Sequence, residues 1–299
     1  RDVLGSRGLG DVYKRQYLQN MVGGTVTHQY ATIGVILGVV AAVMTLICGL
    51  CTKERLKPKR AEKFSMHQFV DLVKNKAWLY MTAIAVCTNF FNGFRYAVAG
   101  YMFEYCLHGN VTVEGLIINY TVFMAFGEVT CMVFGGVSPA FTKWVGSKRM
   151  AFFWAATICL VLSVAFFFIP MNPDYIWVMI ALVVLTSIGI GIYSPLMWSM
   201  YADVADYHTE KYGTSATGLI FSSGTMSQKF GTAISGSLIA MLLGVAGASM
   251  ITDEMGNTVI DPASITDSVL TMVWSLFSLF PAIIAVLLMI LSYKFPIKK

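Results

Sequence analysis

Tyr175 to Trp198 reads YIWVMIALVVLTSIGIGIYSPLMW, with no charged side chain along its whole length. A helix that crosses the hydrocarbon core of a bilayer needs about 20 such residues. Internal Ser187, Gly189 and Gly191 are the small residues through which membrane helices approach one another. A transmembrane strand would show about ten residues of alternating polarity instead, so a membrane helix is expected here. Working outward, similar runs lie near residues 30 to 50, 78 to 100, 115 to 137, 150 to 169, 217 to 247 and 268 to 293. The composition agrees: 57% of the 299 residues are hydrophobic and 12% charged, against about 45–50% and about 25% in soluble domains. A soluble enzyme is disfavoured. The expected fold is all-α, a polytopic membrane protein with seven transmembrane helices.

Orientation follows from the 21 Lys and Arg residues, because short cytoplasmic loops are enriched in them. Lys53, Arg55, Lys57, Lys59, Arg60, Lys63, Lys74 and Lys76 lie between the first two runs; Lys143, Lys148 and Arg149 between the third and fourth; Lys211 between the fifth and sixth; and Lys294, Lys298 and Lys299 at the C-terminus. The alternate connections, near 101 to 114, 170 to 174 and 248 to 267, carry none. The C-terminus is therefore expected in the cytoplasm.

Arg1 to Gln16 (RDVLGSRGLGDVYKRQ) is polar and unlike the rest of the chain. It lacks the apolar core and cleavage site of a signal peptide and reads as a non-native leader; without an initiator Met the chain is expected to be truncated at its N-terminus. The expected organisation is this leader (1–16), the last helix of a truncated N-terminal half (17–51), a basic cytoplasmic linker (52–76) and a C-terminal six-helix domain (77–299). Within the linker, Ser65 and Gln68 have capping-box spacing ahead of Phe69, Leu72 and Val73 on one face, so a short helix lying in the membrane interface is expected. The six cysteines form no disulfide framework or zinc pattern, and no phosphate-binding loop is present. No cofactor is expected, and no metal site.

Three charges fall inside the apolar runs: Arg95, Glu128 and Lys229. A charge at mid-bilayer costs roughly 2.5–3.5 kcal/mol on insertion scales, so each is expected to face protein or a watery cavity. Ser222, Thr225 and Lys229 share a helical face at i−7, i−4 and i, continued by Gly236; such a stripe suits a hydrophilic path. Counted from the starts of their antiparallel runs, Arg95 falls toward the outer side and Glu128 toward the inner, which leaves direct pairing open. The densest polar cluster, Tyr201 to Gly213 (YADVADYHTEKYG), is expected to be a cytoplasmic loop whose Asp203, Asp206, Tyr207 and Glu210 gate access through salt bridges.

Trp198 to Gly247 resembles the glycoside-pentoside-hexuronide:cation symporters of the major facilitator superfamily, the group of the melibiose carrier. Tyr101-Met-Phe-Glu-Tyr105, with Arg95 six residues earlier, looks like that family's YYxxY element. Trp144 to Arg149 (WVGSKR) looks like the superfamily's basic inter-helix motif, and Thr52-Lys-Glu-Arg55 like the start of its central loop. The resemblance covers residues 17 to 299 and implies that the seven runs are the family's sixth to twelfth helices. It further implies that Lys229 lies near the sugar and cation site with a hydroxyl at Thr225, and that Asp203, Asp206 and Tyr207 match family positions. The loop departs from the pattern in two ways: Thr209 stands where the family carries Glu, with Glu210 one residue later, and the usual Arg after Gly213 is replaced by Thr214 and Ser215.

The function expected is that of a C-terminal fragment of a secondary transporter, cation-coupled symport of a glycoside, oligosaccharide or hexuronide by alternating access. Its partners would be the sugar, Na⁺ or H⁺, the bilayer of a bacterial inner membrane and the N-terminal half; the fragment alone is not expected to transport. Tyr101 joins Lys229, Thr225, Ser222, Arg95 and Glu128 in the expected pathway. The alternatives are a lipid or drug transporter of the same superfamily and a seven-helix retinal photoreceptor, against which stands the absence of any lysine in the last run before Lys294.

Overall fold

A computed structural model describes residues 26–51, 66–113, 116–213, 216–252 and 258–297. The expected leader, the Thr52 to Lys63 stretch and the Ser65 cap lie outside the described residues. The chain divides into two units, Arg1–Lys63 and Phe64–Lys299.

The first unit contributes one helix, α1 (Val26–Cys51). In lipid a helix satisfies its own backbone groups, and here Thr45 Oγ1 also donates to the Ala41 carbonyl at 2.8 Å.

The second unit opens with α2 (Met66–Lys74). Leu72 is buried while Phe69 and Val73 stay exposed beside it. Asn75 then caps α3 (Lys76–Tyr101), its Oδ1 accepting from Ala77 N at 3.0 Å. After a π-helical turn at Met102–Cys106 come the paired strands β1 (Val111–Val113) and β2 (Leu116–Ile118). Next are α4 (Tyr120–Val145), α5 (Lys148–Phe167), α6 (Ile176–Tyr212) and α7 (Thr217–Val245). A second hairpin, β3 (Met250–Thr252) with β4 (Thr258–Ile260), leads to α8 (Asp267–Phe277) and α9 (Leu279–Lys294).

Among the described residues six helices are long and apolar enough to cross a membrane: α1, α4, α5, α6 with its leading turn, α7, and α8 with α9. The seven expected from the apolar runs are therefore six on this measure. The helix outside the set is α3, which is 26 residues long but carries Asn89, Asn92 and Arg95.

Packing within the unit pairs α4 with α6, α6 with α5, α5 with α9, α9 with α3, and α3 with α7. Glycines set the closest approaches. A Cβ on Gly191 of α6 would lie 2.6 Å from the Cys131 carbonyl of α4, and one on Gly231 of α7 would lie 2.7 Å from the Val86 carbonyl of α3. Lipid tails are as apolar as Leu, so such van der Waals contact, rather than exclusion of water, is what holds membrane helices together.

Three boundaries differ from the sequence reading. The apolar run starting at 115 begins as the second strand of a hairpin, because Val111, Val113, Ile117 and Ile118 are β-branched and favour a pleated pair over a helix start. The last run is two helices broken at Ser278, where Pro281 cannot donate the backbone bond that would continue α8. The third concerns the polar stretch after Trp198. Tyr201 to Tyr212 is not a loop but the final turns of α6; no Gly or Pro interrupts it until Gly213, whose φ of 71° ends the helix.

Candidate functional site

Helix α7 has two unlike faces. Ile220, Gly224, Ser227, Gly231, Ser235, Ile239 and Leu243 are buried. Toward α3, Trp78 Nε1 donates to Ser223 Oγ at 2.8 Å; toward α6, a Cβ on Gly224 would lie 3.2 Å from the rings of Trp198 and Tyr201. Ser222, Thr225, Lys229 and Gly236 all fall on the other side and are exposed, as the i, i+4 and i+7 spacing requires. Both hydroxyls turn back to the helix, Ser222 Oγ donating to the Gly218 carbonyl at 2.7 Å and Thr225 Oγ1 to the Ser222 carbonyl at 2.8 Å. The Lys229 ammonium meets no hydrogen-bond or carboxylate partner among the described residues.

A second polar group joins α3, α4 and α6. Tyr193 on α6 is fully buried and donates its hydroxyl to Asn92 Oδ1 of α3 at 3.4 Å. One helical turn beyond Asn92, Tyr96 donates to Glu128 Oε1 on α4. Arg95 is buried, at 6% exposure, while Glu128 is exposed, and no ion pair joins them among the described residues. The opposed depths expected for Arg95 and Glu128 do not hold, since the Tyr96 contact puts them at one level. The cause is the hairpin: α4 begins at Tyr120 rather than 115, so Glu128 is only about two turns into its helix.

Tyr101 is half-buried and stacks on Tyr105, the ring centres 6.2 Å apart. Tyr105 in turn ties the two hairpin regions together, its hydroxyl accepting from Ile260 N at 3.0 Å and donating to the Ile260 carbonyl at 3.3 Å. Tyr101 therefore belongs to this end of the bundle and is separate from Lys229.

The opposite end carries the acidic turns of α6. Lys148 Nζ, at the start of α5, lies 2.7 Å from Asp203 Oδ2. Asp206 and Glu210 are exposed, and Tyr207 receives the Lys211 ammonium at 3.4 Å with its ring 5.5 Å away. His208 is fully buried, its Nδ1 accepting from Asn75 Nδ2 at 3.2 Å. Of the expected gating acids, Asp203 alone is in an ion pair within the described residues. The Thr209 departure is accommodated locally, its hydroxyl donating to the Ala205 carbonyl at 3.0 Å.

Tyr96, Asn92, Tyr193 and Asn75 are the residues that sequence reading passes over. Asn89 and Asn92 inside an apolar run are a usable signal for the first pair; nothing in the chain marks Tyr193 as the partner of a residue 101 positions away.

Comparison with known proteins gives this bundle of apolar helices its family. A family model described as MFS/sugar transport protein matches residues 16–299. The chain belongs to the MFS/sugar transport protein family. Its members are transporters, not enzymes, and the chain is accordingly a multi-pass membrane protein. The Inner membrane symporter YicJ of Escherichia coli (strain K12) is 26% identical over 272 residues, covering 90% of this chain and 56% of that protein. The Putative glycoside/cation symporter YagG of the same organism is 26% identical over 210 residues, 70% of this chain and 43% of the relative. The Isoprimeverose transporter of Lactiplantibacillus pentosus is 24% identical over 222 residues, 74% of this chain and 44% of the relative. The chain thus spans about half the length of the curated relatives it matches.

Proposed function

We propose that this chain is the C-terminal portion of a glycoside:cation symporter in which the Ser222, Thr225 and Lys229 stripe faces a second half of the protein across the transport pathway. The observation that carries the reading is that stripe: an ammonium with no partner among the described residues, on a face that α3 and α6 leave open. Exposed to hydrocarbon it would cost roughly 2.5–3.5 kcal/mol, whereas a facing helix that presents a carboxylate would turn it into a coupling residue. Opposite charge would then favour the ionised carboxylate, lowering its proton affinity, and this suits exchange of Na⁺ or H⁺ at that group. Asn92, Arg95, Tyr96 and Glu128 supply the amide, guanidinium, phenol and carboxylate groups that hydrogen-bond sugar hydroxyls. Trp198, stacked on Phe221 at 6.4 Å, supplies an aromatic face. Hydrogen-bonding groups of this kind favour a glycoside over a lipid or drug, whose pathway would be apolar.

In this reading α3 is also a membrane span, its amides and arginine turned to the pathway. The basic ends of α4, α5, α6 and α9 lie in the cytoplasm of a bacterial cell, and the two halves rock around a midplane site in alternating access. The acids of α6 form and break contacts at the cytoplasmic end as that happens, with Lys148–Asp203 the pair present in this state. The test is sugar accumulation in vesicles under an imposed Na⁺ or H⁺ gradient, using a full-length gene reconstructed around this chain. Lys229→Ala is expected to abolish gradient-driven accumulation while the protein still inserts; near-normal accumulation by a normally expressed Lys229→Ala protein would reject the coupling role.

A further inference from the structure

Between α5 and α9 lies an open groove of about 330 Å³ along Phe153, Leu160, Val286, Met289 and Ile290. Its walls are apolar, and Val286 and Ile290 are exposed. One end of the groove is different. Lys294 lines it, and Tyr293 beside it carries the Arg149 guanidinium 5.8 Å above its ring. Arg149 Nη1 reaches the Phe295 carbonyl at 3.5 Å, and its Nε is buried without a partner among the described residues. One cation and a phenol therefore close one end of a hydrocarbon slot, with the Arg149 guanidinium stacked on the phenol ring.

The length of the slot fits one leaflet. Eight residues of α9 separate Val286 from Lys294, a rise of about 12 Å, close to half of a hydrocarbon core about 30 Å thick. Basic pockets between membrane helices are recognised by acidic lipid headgroups, and tails as apolar as Leu fill the slot behind them. We propose that this groove is a site for an anionic phospholipid, one acyl chain lying along Phe153, Leu160, Met289 and Ile290 and the phosphate held between Arg149 and Lys294. The larger groove of about 760 Å³ between α4 and α5, lined by Trp144, Trp154 and Ile158 among others, has no charged side chain in its wall, so it provides no headgroup selectivity. The site is independent of which solute the family member carries.

The experiment is lipid retention by the purified 299-residue chain, delipidated and re-exposed to an equimolar mixture of phosphatidylglycerol and phosphatidylcholine, then read by native mass spectrometry. Each basic group near the headgroup is worth about fivefold, so the pair should favour phosphatidylglycerol by about thirtyfold. Arg149→Gln with Lys294→Gln is expected to bring the two lipids to parity, whereas Lys74→Gln with Lys143→Gln should leave the preference intact. Leu160→Trp, which fills the slot, should lower retention of both lipids. If the Arg149 variant fails to keep its helical circular dichroism, Lys294→Gln alone should remove about fivefold. Equal retention of both lipids by the unaltered chain would overturn the site, as would an undiminished preference in a folded Lys294→Gln protein.

Discussion

The two faces of α7 are made from nearly the same residues and do opposite things. Gly224, Ser227, Gly231 and Ser235 are buried, while Ser222, Thr225 and Gly236 are exposed. Small polar residues by themselves therefore do not say where a membrane helix packs. The difference lies in what stands opposite. On the first face Val86 and Asn89 of α3 and Trp198 and Tyr201 of α6 come within contact of a would-be Cβ at Gly231 and Gly224; on the second, a Cβ on Gly236 would meet nothing within 4 Å. A packed face is a matched pair of surfaces, and among the described residues none is matched to the stripe that carries Lys229.

The widest separation between the faces should come from glycine substitution. Gly231→Leu drives a side chain into the Val86 carbonyl, and Gly191→Leu drives one into the Cys131 carbonyl, neither of which can rotate away. Overpacking of a well-fitted contact costs about 1–3 kcal/mol and more where backbone must move, so both variants should lose most of their folded population. Gly236→Leu on the open face should fold normally. Thermal unfolding followed by helical circular dichroism in detergent reads all three, and equal midpoints for Gly231→Leu and Gly236→Leu would erase the distinction.

A smaller effect is expected where the two hairpin regions are tied. Tyr105→Phe removes both the bond accepted from Ile260 N and the one donated to its carbonyl. The change leaves buried backbone groups unpaired, at about 1–3 kcal/mol. Proteolysis between β3 and β4 should quicken while the helical core stays protected; an unchanged cleavage rate would mean that the strands hold without the tyrosine.

How far the sequence foretells these contacts depends on their range. The membrane class, the helices α5 and α7 and the Ser222, Thr225 and Lys229 face are legible, because apolar runs and i, i+4 spacing are properties of a single segment. The continuation of α6 through Tyr212 is also written in its residues, which contain no helix breaker, but their charge density reads as a loop. The signal for the break at Ser278 stands three residues on, in Pro281. Contacts between segments are not legible. Tyr96 meets Glu128 only because the β1–β2 hairpin takes up the residues before Tyr120 and so sets the register of α4 against α3. Asn75 meets His208 only because α6 runs far enough to reach the start of α3. Neither register is encoded in the hydropathy of one helix.

At the basic end, the Lys148–Asp203 pair is part-exposed, with side chains 29% and 14% accessible, and solvent screens it accordingly. A double-mutant cycle with Lys148→Ala and Asp203→Ala should give a coupling energy of about 0.5–1 kcal/mol. A cycle of zero would mean that the two side chains do not hold α5 to α6 in this state. In the full-length protein the same cycle sharpens the gating reading: a pair that forms in one access state and breaks in the other should couple more strongly when the bound solute favours the state seen here.

The smallest effect expected on stability belongs to the residue with the largest expected effect on transport. Lys229→Gln removes a charge that touches no partner among the described residues, on a face whose Ser222, Thr225 and Gly236 are exposed. Substitutions away from packed or hydrogen-bonded features stay within about 0.5 kcal/mol, so the unfolding midpoint of this chain in detergent should be unchanged. Detergent solvates the ammonium, which removes the insertion penalty that would otherwise favour the amide. On the proposed reading, the same substitution in the full-length protein should behave differently, since the carboxylate proposed to face Lys229 would lose its counter-charge and stability would fall with transport. Equal, near-zero shifts in both proteins would show that no second surface is matched to the open face of α7, and a large loss in the chain alone would show that the face is already partnered within Phe64–Lys299.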